Sequence, residues 1–373
     1  MGVKKGYVFF DKFTKTINFK ELSNQIIAID FNGLLHRFMR KQISIENHYI
    51  LEIINIIEKF NKYNIVPLFV IDGKPIPEKN NKNKKIRDKA IDKAINILDN
   101  HDKLEHNNLD NNLVHNLDHN LDHSNEIKKL IKKSISIKKE DIDKCKDILK
   151  KLDCFYIHIN DYEADTILAL LVKFKIIKYV YSEDFDMCLY SDIQYILKSL
   201  DYDKDTFKFY DKTEILLLLN ISSSEFIDIG FLTGTDFNHG LYKSTMATNL
   251  GLIRQYKTIE NIISNIDIIN INRPDNYKIL IPTYNFNYEL VRGIYNLNNI
   301  NEKTYMKVLK YNNEYNISKN ENKNTLSNLF SINSILDYID CITPDIISKN
   351  KYCKKIINYC YRHFGIKISI GYD

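Results

Sequence analysis

Apolar residues along this chain follow two rhythms. Short unbroken runs rich in β-branched or aromatic residues, at Ile26 to Ile29, Pro67 to Ile71 and Tyr179 to Tyr181, read as strands buried on both faces. Between them, Tyr49 to Phe60 and Ile142 to Leu152 carry apolar positions at the spacing of a helix with one buried face. Strand and helix alternate, which predicts an α/β fold with a parallel central sheet flanked by helices. Ligands in such sheets bind beyond the carboxyl ends of the strands. The residues that terminate the runs therefore matter most for function.

Those residues are acids. Asp30 ends the first run, Asp72 ends the second in Phe-Val-Ile-Asp-Gly-Lys-Pro, and Asp184 and Asp186 follow the third in Ser-Glu-Asp-Phe-Asp. Glu163 and Asp165 lead into an apolar helix at Thr166 to Val172, and Asp236 follows a Thr-Gly-Thr turn. Residues two apart do not face each other on a helix, so Glu163 is expected in the non-helical lead-in. Singly, each acid has an ordinary explanation as a turn former or a helix cap. Together, carboxylates converging on one sheet edge repel strongly unless cations compensate them. Oxygen donors with no partnering Cys or His favour Mg²⁺ or Mn²⁺ over zinc.

One segment breaks the α/β rhythm. From His106 to His123 the chain stutters through repeats of Asn-Leu-Asp with His, a low-complexity insertion. Lysines and an arginine crowd both sides: Lys79, Lys82, Lys84, Lys85, Arg87, Lys89 and Lys93 before it, Lys128 to Lys139 after it. A charge run alone reads most simply as a solvated helical face. The overall balance, +5 at pH 7, permits nucleic-acid binding without demonstrating it. The 6 cysteines never form a Cys-x-x-Cys pair, so buried, reduced thiols are expected rather than a zinc ribbon or a disulfide framework. No apolar run approaches the ~20 residues of a membrane-spanning helix. The Met-Gly start lacks the Ser or Thr of a myristoylation signal, since Gly6 stands there, and no secretion signal precedes the first strand. An intracellular protein without a membrane partner is expected.

In order and spacing, these motifs resemble the flap endonuclease and XPG family of structure-specific 5′ nucleases. The Met-Gly-Val start, Ile29-Asp30 before a helix, Phe-Val-Ile-Asp-Gly-Lys-Pro, Glu163-Ala164-Asp165, Ser182 to Asp186 and Gly234-Thr235-Asp236-Phe237 carry the resemblance, which covers roughly the first 265 residues. It implies a PIN-like sheet holding two Mg²⁺ ions, with Mn²⁺ able to substitute. Asp30, Asp72, Glu163 and Asp165 would lie towards one ion, and Asp184, Asp186 and Asp236 towards the other. The basic excursion then corresponds to the family's helical gateway, or arch, around the 5′ single strand. Lys79 matches its first active-site lysine. The second basic position falls on Ile86, so Arg87 is the expected substitute, with Lys82 and Lys85 as further contacts to nucleic acid. Gly2 and His36 occupy positions that meet the nucleic acid, His36 where the family has a stacking aromatic.

After the last acid the family grips duplex backbone with a helix-two-turn-helix. Here residues 234–265 are a degenerate version: the second glycine of the Gly-x-Gly turn is missing, which weighs against a K⁺ ion there, while Lys243, Ser244 and Thr245 remain available to phosphate. The expected organisation is a nuclease core at 1–300, with a gateway insertion at 76–140, and an extension at 301–373 to which no chemistry is assigned. Helical patterns occur in that extension near Ser331 to Ile339 and Lys351 to Phe364, and no sliding-clamp box is evident. The expected activity is hydrolysis of phosphodiester bonds in branched or flapped DNA during replication, recombination or repair, by a monomer. The site of action would be the nucleus for a cellular protein, or host cytoplasm for a large cytoplasmic DNA virus, whose flap-endonuclease-like proteins this chain resembles in its degenerate hairpin, missing clamp box and biased composition. The alternatives are a 5′-to-3′ exoribonuclease or other PIN-like ribonuclease, and a catalytically weak DNA-binding factor, the last motivated by Asp165 standing where the family has Glu.

Overall fold

In the computed structural model, residues 6–41, 47–75, 79, 87–93, 95–96, 126, 129–152, 154–298 and 300 are described. Gly2, Lys82, Lys85, the repeat at 106–123 and the extension at 301–373, with its two helical patterns, lie outside the described residues.

The described strands are β1 (Lys15–Asn18), β2 (Ile26–Asp30), β3 (Val66–Ile71), β4 (Phe155–His158), β5 (Tyr179–Tyr181), β6 (Tyr195–Asp201) and β7 (Thr206–Asp211). They form one sheet in the order β1-β7-β6-β5-β2-β3-β4. The three runs read as strands are β2, β3 and β5, and they lie side by side in parallel at its centre. Parallel β4 and β6 flank them. The sheet is nevertheless mixed, because β7 pairs antiparallel with both β6 and β1. These outer strands alternate polar with apolar positions, as Thr-Phe-Lys-Phe-Tyr-Asp does in β7, and so lack the continuous apolar signature of the centre.

The central strands alternate between two cores. Ala28, Leu68, Val70 and Val180 face one cluster, while Ile27, Ile29, Phe69, Ile71 and Tyr181 face the other. That is the period of two of a strand covered on both sides. The covering helices are α1 (Gly6–Phe10), α2 (Phe31–Lys41), α3 (His48–Lys62), α4 (Lys139–Lys151), α5 (Ala164–Lys173), α6 (Lys212–Leu219), α7 (Ser223–Thr233), α8 (Met246–Tyr256), α9 (Ile259–Ser264), α10 (Ile266–Asn270) and α11 (Tyr288–Tyr295). Residues 87–93 are also helical. Among the described residues, no single helix is long and apolar enough to cross a membrane.

Two helices are shaped by what they must present. α2 buries Phe31, Leu34, Leu35 and Phe38, one face at the i, i+3, i+4, i+7 spacing. Its other face is left with His36, Arg37, Arg40 and Lys41. α7 starts on a reciprocal cap, in which Glu225 N donates to Ser222 Oγ (3.1 Å) and Ser222 N donates to Glu225 Oε2 (2.7 Å). It ends at Gly234, whose φ of +96° favours glycine. Gly240 packs backbone to backbone against Thr233 and Gly234, so close that a Cβ would overlap them. This pair of glycines fixes the turn that carries Asp236.

Candidate active site

The acids meet at the carboxyl ends of the parallel strands, each fixed by a local bond. Asp30, at the end of β2, accepts the Gly33 amide (3.0 Å) on Oδ1 and the Ser182 hydroxyl (2.9 Å) on Oδ2. A Cβ on Gly33 would stand 2.5 Å from that carboxylate, so the α2 residue beneath it must lack one. Ser182, fully buried at the exit of β5, also accepts the Asp184 amide (3.0 Å), so one hydroxyl couples the ends of two neighbouring strands. Asp72, just beyond β3, accepts the Ala164 amide (2.8 Å) and thereby caps α5. Glu163, the N-cap residue itself, is extended and makes no side-chain cap bond, as the lead-in reading requires, which leaves its carboxylate for other partners. Asp165 lies in the first turn of α5. Asp186 opens a single 3₁₀ turn, its amide donating to Asp184 Oδ1 (3.2 Å). An Asn238 side chain accepting from Thr235 N (3.1 Å) and Thr235 Oγ1 (2.8 Å) holds the turn at Asp236.

A cleft of about 1200 Å³ opens over these ends, lined on the acidic side by Asp30, Asp72, Glu163, Asp165, Asp184 and Asp236. Asp186 is buried behind them. Burial, then the neighbouring Asp72 charge, pushes the Asp30 carboxyl up to about 7. Burial raises Asp72, and Glu163 adds to it. Asp165 is raised well above the carboxylate range by burial and then Asp30, and Asp186 to about 8 by burial, then Asp184 and Asp236. Lys79 intrudes among them, its Nζ 2.7 Å from Glu163 Oε1. Burial alone would depress this ammonium, but Asp165 and Glu163, with Asp236, outweigh it and hold the lysine above its usual range.

The cleft is also lined by cationic and imidazole side chains: His36, Arg37, Arg40 and Lys41 from α2, Arg87 from the helical residues 87–93, and Lys132. Arg37 is held by Glu183 (2.7 Å), the Tyr181 hydroxyl (3.1 Å) and the Leu200 carbonyl. Burial, then Arg40 and Arg87, push the His36 imidazole down to about 4, so it is neutral at pH 7. Its buried Nδ1 has no hydrogen-bond partner among the described residues.

The donor set fits hard divalent cations. Four carboxyls held above their ordinary range are acids short of positive charge, and Asp186 Oδ1 is buried without a partner. Among the described residues, no three Asp, Glu, His or Cys side chains are already gathered to hold one ion. Lys79 supplies compensating charge within the cluster.

Lys243, Ser244 and Thr245 lie outside this cleft, in the approach to α8. Lys243 is exposed with φ of 56°. The Ser244 hydroxyl donates to Leu241 O (3.2 Å), and Thr245 Oγ1 accepts the Thr248 amide (3.2 Å) as the cap of α8, so both hydroxyls have structural work within the chain. The reading from sequence did not single out Gly33, Ser182 or Arg37. Ser182 stood inside a quoted motif, whereas Gly33 becomes informative only once the Asp30 rotamer is known.

Residues 1–93 match the family model described as the XPG N-terminal domain, and residues 155–236 match the one described as the XPG I-region. These two matches, with the relatives below, support a nuclease of the flap endonuclease and XPG family. Among curated relatives, the chain is 26% identical over 345 residues to the "Probable RAD2-like endonuclease 369L" of Invertebrate iridescent virus 6, covering 79% of each chain. It is 25% identical over 292 residues to Flap endonuclease 1 of Entamoeba dispar, covering 74% of this chain and 69% of that one. Two solved structures share the family fold at low identity. The catalytic core of Rad2 in complex with DNA substrate superposes with a TM-score of 0.59 at 16% identity, over 88% of this chain and 99% of that one. The Holliday junction-resolving enzyme GEN1, in complex with product DNA and Mg²⁺, superposes with a TM-score of 0.58 at 12% identity, over 97% and 81%.

Proposed function

We propose that the chain is a Mg²⁺-dependent, structure-specific 5′ nuclease that hydrolyses DNA phosphodiester bonds at flaps, gaps or ends. The observation that carries this reading is the cleft itself, lined by carboxylates from the strand ends together with arginine, lysine and neutral histidine. Asp30, Asp72, Glu163 and Asp165 would hold one divalent ion, and Asp184, Asp186 and Asp236 a second. A bound pair of ions supplies an activated water and a stabilised leaving oxygen for in-line displacement at phosphorus. The chain's own cations do the rest. Lys79, now on Glu163, is positioned to neutralise charge developing on a phosphate in a partly water-excluded site. Arg87 and Arg40 hold the strand by its backbone, and neutral His36 offers a flat ring to a base.

The relatives support DNA as substrate, since several are named Flap endonuclease 1 and the similar structures contain DNA. In the same reading, residues 1–300 are the nuclease core, 76–140 its gateway insertion, and 301–373 an extension. The protein acts, in this reading, inside the cell at sites of DNA synthesis, the nucleus for a cellular protein or host cytoplasm for a large cytoplasmic DNA virus. The test is incubation with 5′-labelled flap, blunt-duplex and single-stranded DNA, and a matched RNA flap, with Mg²⁺ or with EDTA. Mg²⁺-dependent cutting at the DNA flap junction is expected. Selective loss of the RNA would make it a ribonuclease, and binding without cutting would make it a DNA-binding factor.

A further inference from the structure

Tyr295 closes α11, outside both segments matched by the family models. Its buried hydroxyl donates to Asp186 Oδ2 at 3.0 Å, across 109 residues of sequence. The side chain is clamped on every side. Its ring stands edge-on to Tyr190 (5.1 Å) and to Phe237 (5.9 Å), the neighbour of Asp236. Its carbonyl accepts the Ser191 amide (3.0 Å).

The helix behind it is anchored as firmly. Arg292 donates through Nε and Nη2 to the two oxygens of Asp228 on α7, both at 2.7 Å, and through Nη1 to Glu260 on α9 (3.0 Å). A two-pronged guanidinium–carboxylate pair constrains direction as well as distance. α7 delivers Asp236 at its end, so α11 and that acid are fixed to one support.

We infer that Tyr295 is a positioning residue for Asp186. Its hydroxyl occupies one carboxylate oxygen and turns the other, the partnerless Oδ1, into the oxygen available to a divalent cation. Such outer partners orient a ligand that would otherwise rotate. The inference rests on the two-ion reading of the site, and its test can fail separately from that reading.

Mn²⁺ is titrated into the full chain and free ion is followed by electron paramagnetic resonance, which needs no cleavage. Tyr295→Phe removes the hydroxyl and keeps the ring, and should weaken Mn²⁺ binding about tenfold. In flap cleavage, kcat falls by a similar factor while KM for DNA stays unchanged. Tyr288→Phe, on the same helix and away from the acids, should leave both unchanged. In an Asp186→Asn background the further loss from Tyr295→Phe should vanish, because the two side chains act as one unit. Thermal melts confirm that each variant is folded. Unchanged Mn²⁺ affinity in Tyr295→Phe, or an equal loss in both backgrounds, overturns the inference. A parent protein that binds Mn²⁺ but cuts no flap counts against the proposed function and leaves the ion titration to decide on Tyr295.

Discussion

The two walls of the cleft are built on opposite plans. On the acidic wall, short side chains sit at the ends of buried strands and take backbone or buried hydroxyl bonds, as Asp30 does from Gly33 and Ser182, and Asp72 from Ala164. On the cationic wall the plan is looser: Arg37 is pinned by Glu183, Tyr181 and Leu200 and Lys41 by Glu52, but exposed Arg40 has no acidic partner among the described residues. Placement of catalytic groups must hold to a fraction of an ångström, whereas backbone phosphates can be met by a flexible cation at many angles. Rigidity is concentrated where bonds are to be broken, and reach where a strand is to be held.

That contrast can be broken one residue at a time. Asp184→Ala should have the largest effect, taking flap cleavage to background in single-turnover assays while DNA binding in Ca²⁺ survives; retained turnover would remove Asp184 from the site. Lys79→Ala should lower the single-turnover rate by about 10²-fold or more with little change in affinity; a loss confined to affinity would make it a cation of the binding wall instead. Gly33→Ala drives a methyl group against the Asp30 carboxylate, and should cost about 10- to 100-fold in kcat at unchanged KM, as displaced supports of catalytic ligands do. Arg40→Ala is the mildest: cleavage at saturating DNA is kept, and the slope of log affinity against log salt falls by about 0.7 to 0.9, the signature of one lost phosphate contact. A rate effect as large as that of Lys79→Ala would erase the difference between the walls.

The sequence made the acidic wall legible because parallel strands covered on both faces are unbroken apolar runs, and a charge that ends such a run is conspicuous. Ile-Ile-Ala-Ile-Asp announces both β2 and the position of Asp30. β1, β6 and β7 were hidden because antiparallel outer strands mix Lys, Asp and Thr with their apolar residues. The cationic wall was half legible: His36 and Arg87 stood out, but Arg37 and Arg40 gain meaning only from the helical phase set by Phe31, Leu34, Leu35 and Phe38. Tyr295 could not be read at all. Nothing local distinguishes it from the other tyrosines of this Tyr-rich chain, and its partner lies two described strands and five described α-helices earlier.

β3 and β4 are adjacent parallel partners, and the chain leaves the first at Asp72 and re-enters the sheet through α4, whose Cys145, Ile148 and Leu149 are locked into the core. Both ends of the intervening passage are thus moored in the core. Closing a longer flexible loop costs only about 0.6 kcal/mol per doubling of its length. The core is in effect a socket. The repeats at 106–123 fall within this passage, and a passage of different length or charge could be exchanged into the same two moorings without changing the order of the strands.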